Sequence, residues 1–387
     1  MRMFISLFII IFATIVSCLD NGLGKTPPMG WNSYNHFNCS INETLIKSIA
    51  DAMIKYGFRN AGYTYLNLDY CWQNKTRDKK TNRLIPDPKA FPKGIKDLAN
   101  YVHNKGLLFG IYGDAGTADC ANRPGSLGFE ELDAQTFADW GVDYLKYDNC
   151  HNNNIDPIIR YSKMRDALKA TNRPIYYSIC NWGEFDPHIW GKEVGNSWRT
   201  TVDIYHSWES ILFTLDKQRN ISTFSSPGGW NDPDMLEIGN AGLTFDEQKS
   251  HFSLWAALKA PLLLGFDLRN PPKNTLAVAL NEKIIAVNQD PLGQSVKIVD
   301  FVDDIYEIWT GPLSDGYVAV LFNRLIIPYD ITLNFETHCG LNGTIAVTDL
   351  WDDDPFKGNF TDSYTSQVPS HGVTVLKLQV VDNKFLD

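Results

Sequence analysis

Lys146 and Asp148, two residues apart in Leu145-Lys-Tyr-Asp-Asn-Cys150, close an apolar run that reads as a buried strand, Val142–Asp148. Side chains two apart on a strand share a face. Val142, Tyr144, Lys146 and Asp148 are therefore expected to point one way, with the charges at the carboxyl end. A cation beside a carboxylate keeps it ionised near neutral pH, and an ionised aspartate suits attack on an electrophilic carbon. An isolated Lys-x-Asp is more often a structural ion pair. Here Asp69, Asp114 and Asn181 also end predicted strands, and a row of polar strand ends is unusual for a purely structural sheet. Cleaving a glycosidic bond calls for a second carboxyl group across the sugar. Asp203 in Arg199-Thr-Thr-Val-Asp203 is one candidate, with Arg199 placed to hold hydroxyl groups; Asp232 and Asp234 in Gly228-Gly-Trp-Asn-Asp-Pro-Asp-Met235 compete. These residues alone leave the choice open.

The elements that must position them alternate from about residue 25 to 295. Ser40-Ile-Asn-Glu43 reads as a capping box opening a helix through Tyr56, with Leu45, Ile46, Ile49, Met53 and Ile54 at helical spacing and Gly57 as a stop. Strands are predicted at Tyr63–Asp69, Leu107–Tyr112, Val142–Asp148 and Ile175–Cys180, and helices at Gly94–Asn104, Glu130–Trp140 and Asp156–Ala170. Strand onsets about 30–45 residues apart fit βα units with right-handed crossovers. About eight such units fit before residue 295, which predicts a (β/α)8 TIM barrel; no Gly-x-Gly-x-x-Gly turn supports a doubly wound sheet. From residue 296 to 387 the pattern turns to short β runs, Ile305–Thr310, Tyr317–Phe322, Ile331–Phe335, Thr344–Asp349 and Val373–Val380. They predict a C-terminal antiparallel β-sandwich domain, read as a buttress rather than a sugar-binding module.

Residues 1–18 carry Arg2, the apolar stretch Phe4–Val16 and small residues at Val16-Ser17-Cys18, a signal-peptide pattern too short for a membrane anchor. Six Asn-x-Ser/Thr triplets, at Asn38, Asn42, Asn74, Asn220, Asn342 and Asn359, fit the secretory route, with glycosylation expected there. Secretion and a lysosomal destination are both compatible with this. A formal net charge of −10 argues against nucleic acid or an anionic membrane surface as partner. No Cys-x-x-Cys occurs and the eight histidines are scattered, so no zinc site is read. Oligomeric state is not legible, and a homodimer stays open.

Six motifs occur in order: Pro28-Met-Gly-Trp-Asn-Ser33, Leu145–Cys150, Ser178-Ile-Cys-Asn-Trp-Gly183, Asn196-Ser-Trp-Arg199, Gly228–Leu236 and Asn288-Gln-Asp-Pro-Leu-Gly293. Together they resemble the melibiase family of α-galactosidases, glycoside hydrolase family 27, from about Asn21 to Gly293. The resemblance implies a retaining exo-enzyme acting on an α-galactoside substrate without metal or other cofactor. It implies Asp148 as nucleophile and Asp203 as general acid/base. Lys146, Arg199, Asp69, Tyr112 and Asp234 match residues that bind sugar hydroxyls, Asn181-Trp182-Gly183 the segment at the 2-position, and Met235 the pocket wall. It further implies disulfides Cys39–Cys71 and Cys120–Cys150, with Cys180 and Cys339 free. Lys146 should keep Asp148 ionised, and that charge should keep Asp203 protonated. Two positions depart from the pattern. Tyr70 stands where many relatives have a second aspartate, which weakens the expected grip on the galactose 4- and 6-hydroxyls, and Tyr34 stands where tryptophan is common. Asn181 replaces a glutamate seen in some members. The alternatives are an α-N-acetylgalactosaminidase, a β-L-arabinopyranosidase, or a catalytically silent carbohydrate-binding protein. Core packing is the expectation for most of Trp31, Trp72, Trp182 and Trp198, and an exposed turn for Asp352–Asp354.

Overall fold

The structure, a computed structural model, describes residues 19–381; the signal-peptide reading of residues 1–18 lies outside them. Eight strands form one parallel sheet: β1 Met29–Asn32, β2 Tyr65–Leu68, β3 Leu108–Asp114, β4 Tyr144–Asp148, β5 Tyr176–Ile179, β6 Ser197–Arg199, β7 Trp230–Asp232 and β8 Leu262–Leu264. Their order is β7-β6-β5-β4-β3-β2-β1-β8. The remaining gap is closed just beyond β7, where Leu236 bridges Leu264 in parallel and its amide donates to the Leu263 carbonyl at 2.8 Å. The sheet is thus a barrel, with a helix following most strands on the outside.

Alternation along β4 shows how the strands sort their side chains. Leu145 and Tyr147 join the core outside the barrel, whereas Tyr144 points in and stacks on Tyr176 of β5 at 4.9 Å. With Tyr65, Met235 and Leu263 these rings form a largely apolar floor. Lys146, one inward position further along, stands above that floor. Val142 does not share this face as expected; it precedes the strand and packs into the outer core.

The helices Gly94–Asn104 and Glu130–Trp140 have the predicted bounds, and Pro157–Ala170 is capped by the Asp156 side chain. The first long helix is not opened by a capping box. Its cap is Asn42, which accepts from the Leu45 amide at 2.9 Å, and the helix runs Glu43–Lys55. Glu43 turns instead to Lys47, one helical turn on. A true capping box occurs at Thr244 and Glu247, opening Phe245–Ala257.

Beyond the barrel, β9 Lys297–Val302, β10 Tyr306–Leu313, β11 Gly316–Asn323, β12 Tyr329–Asn334, β13 Ile345–Asp349, β14 Phe356–Phe360, β15 Ser363–Val368 and β16 Val373–Val380 make two antiparallel sheets. One has order β14-β13-β16-β11-β10-β9, the other pairs β12 with β15. The inner core of this sandwich contains Ile308, Leu321, Ile331, Leu333, Leu376 and Leu378. The opposite face of the larger sheet, with Trp309, Val318, Val320 and Val375, belongs to the same apolar core as the barrel helices. Glu307, fully buried, receives both Arg219 from the barrel side and Arg324 from the β-domain. His371 bonds Glu247 at 2.7 Å and stacks on Trp208. The β-domain therefore rests on two helices of the barrel wall.

Candidate active site

Consecutive strands deliver their polar ends to one place. Asp69 follows β2, Asp114 ends β3, Asp148 ends β4, Asn181 follows β5, and Arg199 ends β6. Lys146 donates to Asp69 Oδ2 at 2.8 Å, and Asn32 from the end of β1 donates to the same oxygen at 2.8 Å. Asn32 was missed as a site residue although it lies in the first motif; its place at a strand end was the available signal. Asp148 Oδ2 accepts from the Tyr112 hydroxyl at 2.8 Å, and Oδ1 accepts from the Asn149 amide at 3.0 Å. The nucleophile candidate is thereby fixed through both oxygens.

Arg199 forks between two carboxylates, reaching Asp203 Oδ1 and Asp234 Oδ2, each at 2.9 Å. Its other amino group lies 3.5 Å from the Cys180 sulfur. Asp234 adopts φ +80, a left-handed conformation that aspartate tolerates better than most residues. Three bonds hold it there: its amide to Asp232 Oδ1 at 2.8 Å, its Oδ2 from the Ile204 amide, and its Oδ1 from the Met235 amide, both at 2.9 Å. Asp232 thus braces the loop, and it also lines the small cavity shared by Lys146, Arg199 and Asp234. Exposure separates the rivals. The Asp203 side chain is 49% exposed, against 5% for the side chain of Asp234, so Asp203 is the acid that a leaving group and water can reach.

The walls are built from loops. Tyr34 and Tyr70 pack ring to ring at 4.7 Å, Tyr70 lies 5.4 Å from Tyr112, and the Lys146 ammonium sits 5.9 and 5.7 Å from the Tyr34 and Tyr112 rings. Asn181 is fully buried with its side-chain oxygen unpartnered. Trp182 and Gly183 are half-buried and turn through positive φ; a Cβ on Gly183 would fall 2.3 Å from the Thr200 carbonyl, so glycine is required. Met235 lies in the floor beside Tyr144 and Leu263. Cys39–Cys71 and Cys120–Cys150 are both bonded, each with Cα atoms 5.3 Å apart, and Cys120 sulfur lies 3.5 Å from Asp148 Oδ2. Cys180 and Cys339 are free and buried. Trp31, Trp72 and Trp198 are core residues, and Asp352–Asp354 forms an exposed turn tied to Lys357. Larger cavities, about 860 Å³ beside Glu131 and Lys163 and about 480 Å³ beside Asn21 and Arg173, gather no strand-end carboxylates.

The electrostatics reverse the expected division of acidity. Burial pushes Asp148 up, and Asp203 adds to that, while Lys146 and the Tyr112 hydroxyl pull it down without cancelling the rise. Burial also acts to raise Asp203, but Arg199 and Lys146 outweigh it and hold the group below the usual carboxylate range. The cause is visible in the contacts: Lys146 gives its short bond to Asp69, and Arg199 gives one of its bonds to Asp203. In this resting arrangement Asp203 is the better anion. Burial, and next the charge of Asp148, push Asp114 up to about 8, and burial leaves Asp232 at about 6 despite Arg199.

The family model described as "Alpha galactosidase A" matches residues 26–290, and that described as "Alpha galactosidase C-terminal beta sandwich domain" matches residues 303–378. This chain belongs to the melibiase family of α-galactosidases. "Alpha-galactosidase 3" of Arabidopsis thaliana is 52% identical over 358 residues, covering 91% of this chain and 82% of its own. The crystal structure of α-galactosidase I from Mortierella vinacea superposes with a TM-score of 0.90 at 37% identity, covering 93% of this chain and 98% of that one. The α-galactosidase of Saccharomyces cerevisiae with raffinose has a TM-score of 0.87 at 32% identity, covering 93% and 98%. Tyr70, packed ring to ring with Tyr34, places a phenol in the pocket wall.

Proposed function

We propose that this chain is a retaining exo-α-galactosidase that removes terminal α-D-galactosyl residues by double displacement. The observation that carries the reading is the pairing of a buried, twice-bonded Asp148 with a half-exposed Asp203, each under the influence of Lys146, at one end of a parallel barrel. Asp148 attacks the anomeric carbon while Asp203 protonates the departing oxygen; Asp203 then takes a proton from the water that releases the sugar. Lys146, Asp69, Arg199 and Asp234 supply charged donors and acceptors for the hydroxyl groups, and Asn181, Trp182 and Gly183 wall the 2-position.

Because Arg199 holds Asp203 as an anion at rest, substrate has to change that partnership. A sugar hydroxyl that draws Arg199 toward Asp234 frees Asp203 to take up the proton it must later donate. No metal enters this account, and no cofactor is assigned. Among the described residues no helix is long and apolar enough to cross a membrane. Secretory passage to an extracellular or lysosomal compartment is supported by two disulfides and by glycosylation triplets whose asparagines are all at least partly exposed.

Tyr70 favours one second reading, a β-L-arabinopyranosidase, since a pentopyranose lacks the hydroxymethyl group that a second carboxylate would grip. Matched aryl α-galactoside, α-N-acetylgalactosaminide and β-L-arabinopyranoside substrates decide among them. The galactoside is expected to turn over with the highest kcat/KM, and a clear preference for either rival overturns the assignment.

A further inference from the structure

Asp114 is 1% exposed and lies across from Asp148 in the parallel register of β3 and β4. The mechanism above gives it no task. Its Oδ1 accepts from the Gly116 amide at 2.7 Å and its Oδ2 from the Cys150 amide at 3.0 Å, which ties the ends of both strands together. The Tyr112 hydroxyl lies between the two carboxylates, 2.8 Å from Asp148 Oδ2 and 3.4 Å from Asp114 Oδ2. A phenol has one proton and donates it along one direction at a time. The shorter contact shows that Asp148 holds it at rest.

We propose, on the reading of Asp148 as nucleophile, that Asp114 is a positioning residue acting through Tyr112: it is the second acceptor to which the hydroxyl turns when Asp148 loses its charge. In the first step an Asp148 oxygen bonds to the anomeric carbon, the bond to the leaving oxygen breaks, and the Asp203 proton passes to that oxygen. Asp148 is then a neutral ester and a weaker acceptor than the carboxylate it was. The Tyr112 proton does not change owner; its hydrogen bond moves to Asp114. Asp148 and Asp119 are the charged neighbours that face Asp114. Loss of the Asp148 charge removes the larger of those repulsions, so Asp114 becomes a better acceptor as Asp148 becomes a poorer one. When water releases the sugar and the carboxylate returns, the hydroxyl swings back.

The test is a double-mutant cycle in the full chain with an aryl α-galactoside. Asp114→Asn is expected to lower kcat by about tenfold. Asp114 is largely neutral below about 8, as asparagine is, so the acid limb of kcat/KM is expected to stay in place and the loss to fall on kcat, with KM changed by less than about twofold. In a Tyr112→Phe background the same substitution costs less than about twofold more, because residues acting in series are not additive. Fully additive losses, or a loss carried by KM rather than kcat, overturn the proposal. Asp114→Ser, small and polar without a carboxylate, repeats the cycle if the asparagine variant does not fold. A wild-type chain inactive on the galactoside would instead fail the functional reading itself.

Discussion

Asp203 carries the sharpest consequence at the residue scale, because its present partner is Arg199 and its role demands a proton. Asp203→Asn removes the proton donor. kcat/KM for a galactoside with a poor leaving group is expected to fall by about 10²–10⁴-fold, the usual worth of a positioned acid. A nitrophenyl galactoside, whose leaving group needs little protonation, is expected to lose far less in the glycosylation step. Equal losses on both substrates would remove Asp203 from that role. The raised pKa of Asp148 gives a sign for pH: the nucleophile must be ionised, so the acid limb of kcat/KM lies above the ordinary carboxylate value and activity is lost as pH falls through it. Tyr70→Asp restores the second carboxylate and is expected to raise kcat/KM for the galactoside relative to the arabinopyranoside, as measured in competition. The chemistry at this scale was legible in part. Lys146-x-Asp148 and the polar strand ends stood out, whereas spacing does not separate Asp203 from Asp234; the family resemblance made that choice, and the structure adds that Asp203 is the more exposed of the two. The order of the two acidities was not legible, because it depends on which carboxylate each cation touches.

At the scale of elements, the predicted helices were readable because they run 11–14 residues between recognisable ends, and the first strands because their apolar runs of 4–7 residues recur between those helices. β6, β7 and β8 are three residues each, too short to display alternation; motifs marked the positions of β6 and β7, and nothing marked β8. The capping reading at Ser40 failed because Asn42 is an equally good cap two residues nearer the helix, and local sequence does not arbitrate between the two. The loop after β5 supplies a test of this scale. Gly183→Ala places a methyl against the Thr200 carbonyl in a backbone region that alanine avoids, so the wall carrying Asn181 and the loop leading to Asp203 must separate. Its expected signature is a raised KM with a smaller change in kcat, read from steady-state kinetics; unchanged KM would show the wall to be irrelevant to binding.

The whole molecule is two layers of core joined across one apolar face, and the buried Glu307 with Arg219 and Arg324 sits at that junction. Glu307→Ala removes the buried carboxylate the two arginines share and leaves them the half-exposed Asp216, with Asp303 for Arg219. Such a broken buried pair is expected to cost about 3–5 kcal/mol, seen as a lower urea midpoint, with kcat little changed in the protein that remains folded. A variant as stable as the parent would mean the junction is solvated. The sandwich was foreseen from turn-separated β runs. Its edge strands β9, β14 and β15 were not, since they are largely polar or half-exposed and take their order from neighbours.

The most direct measurement traps the first intermediate with a 2-deoxy-2-fluoro-galactosyl inactivator carrying a reactive leaving group, followed by peptide mass spectrometry. The account predicts one fluorogalactosyl group per chain, esterified to Asp148. A label on Asp203 or Asp234, or an intact chain that nonetheless turns over galactoside with inverted configuration, would contradict it.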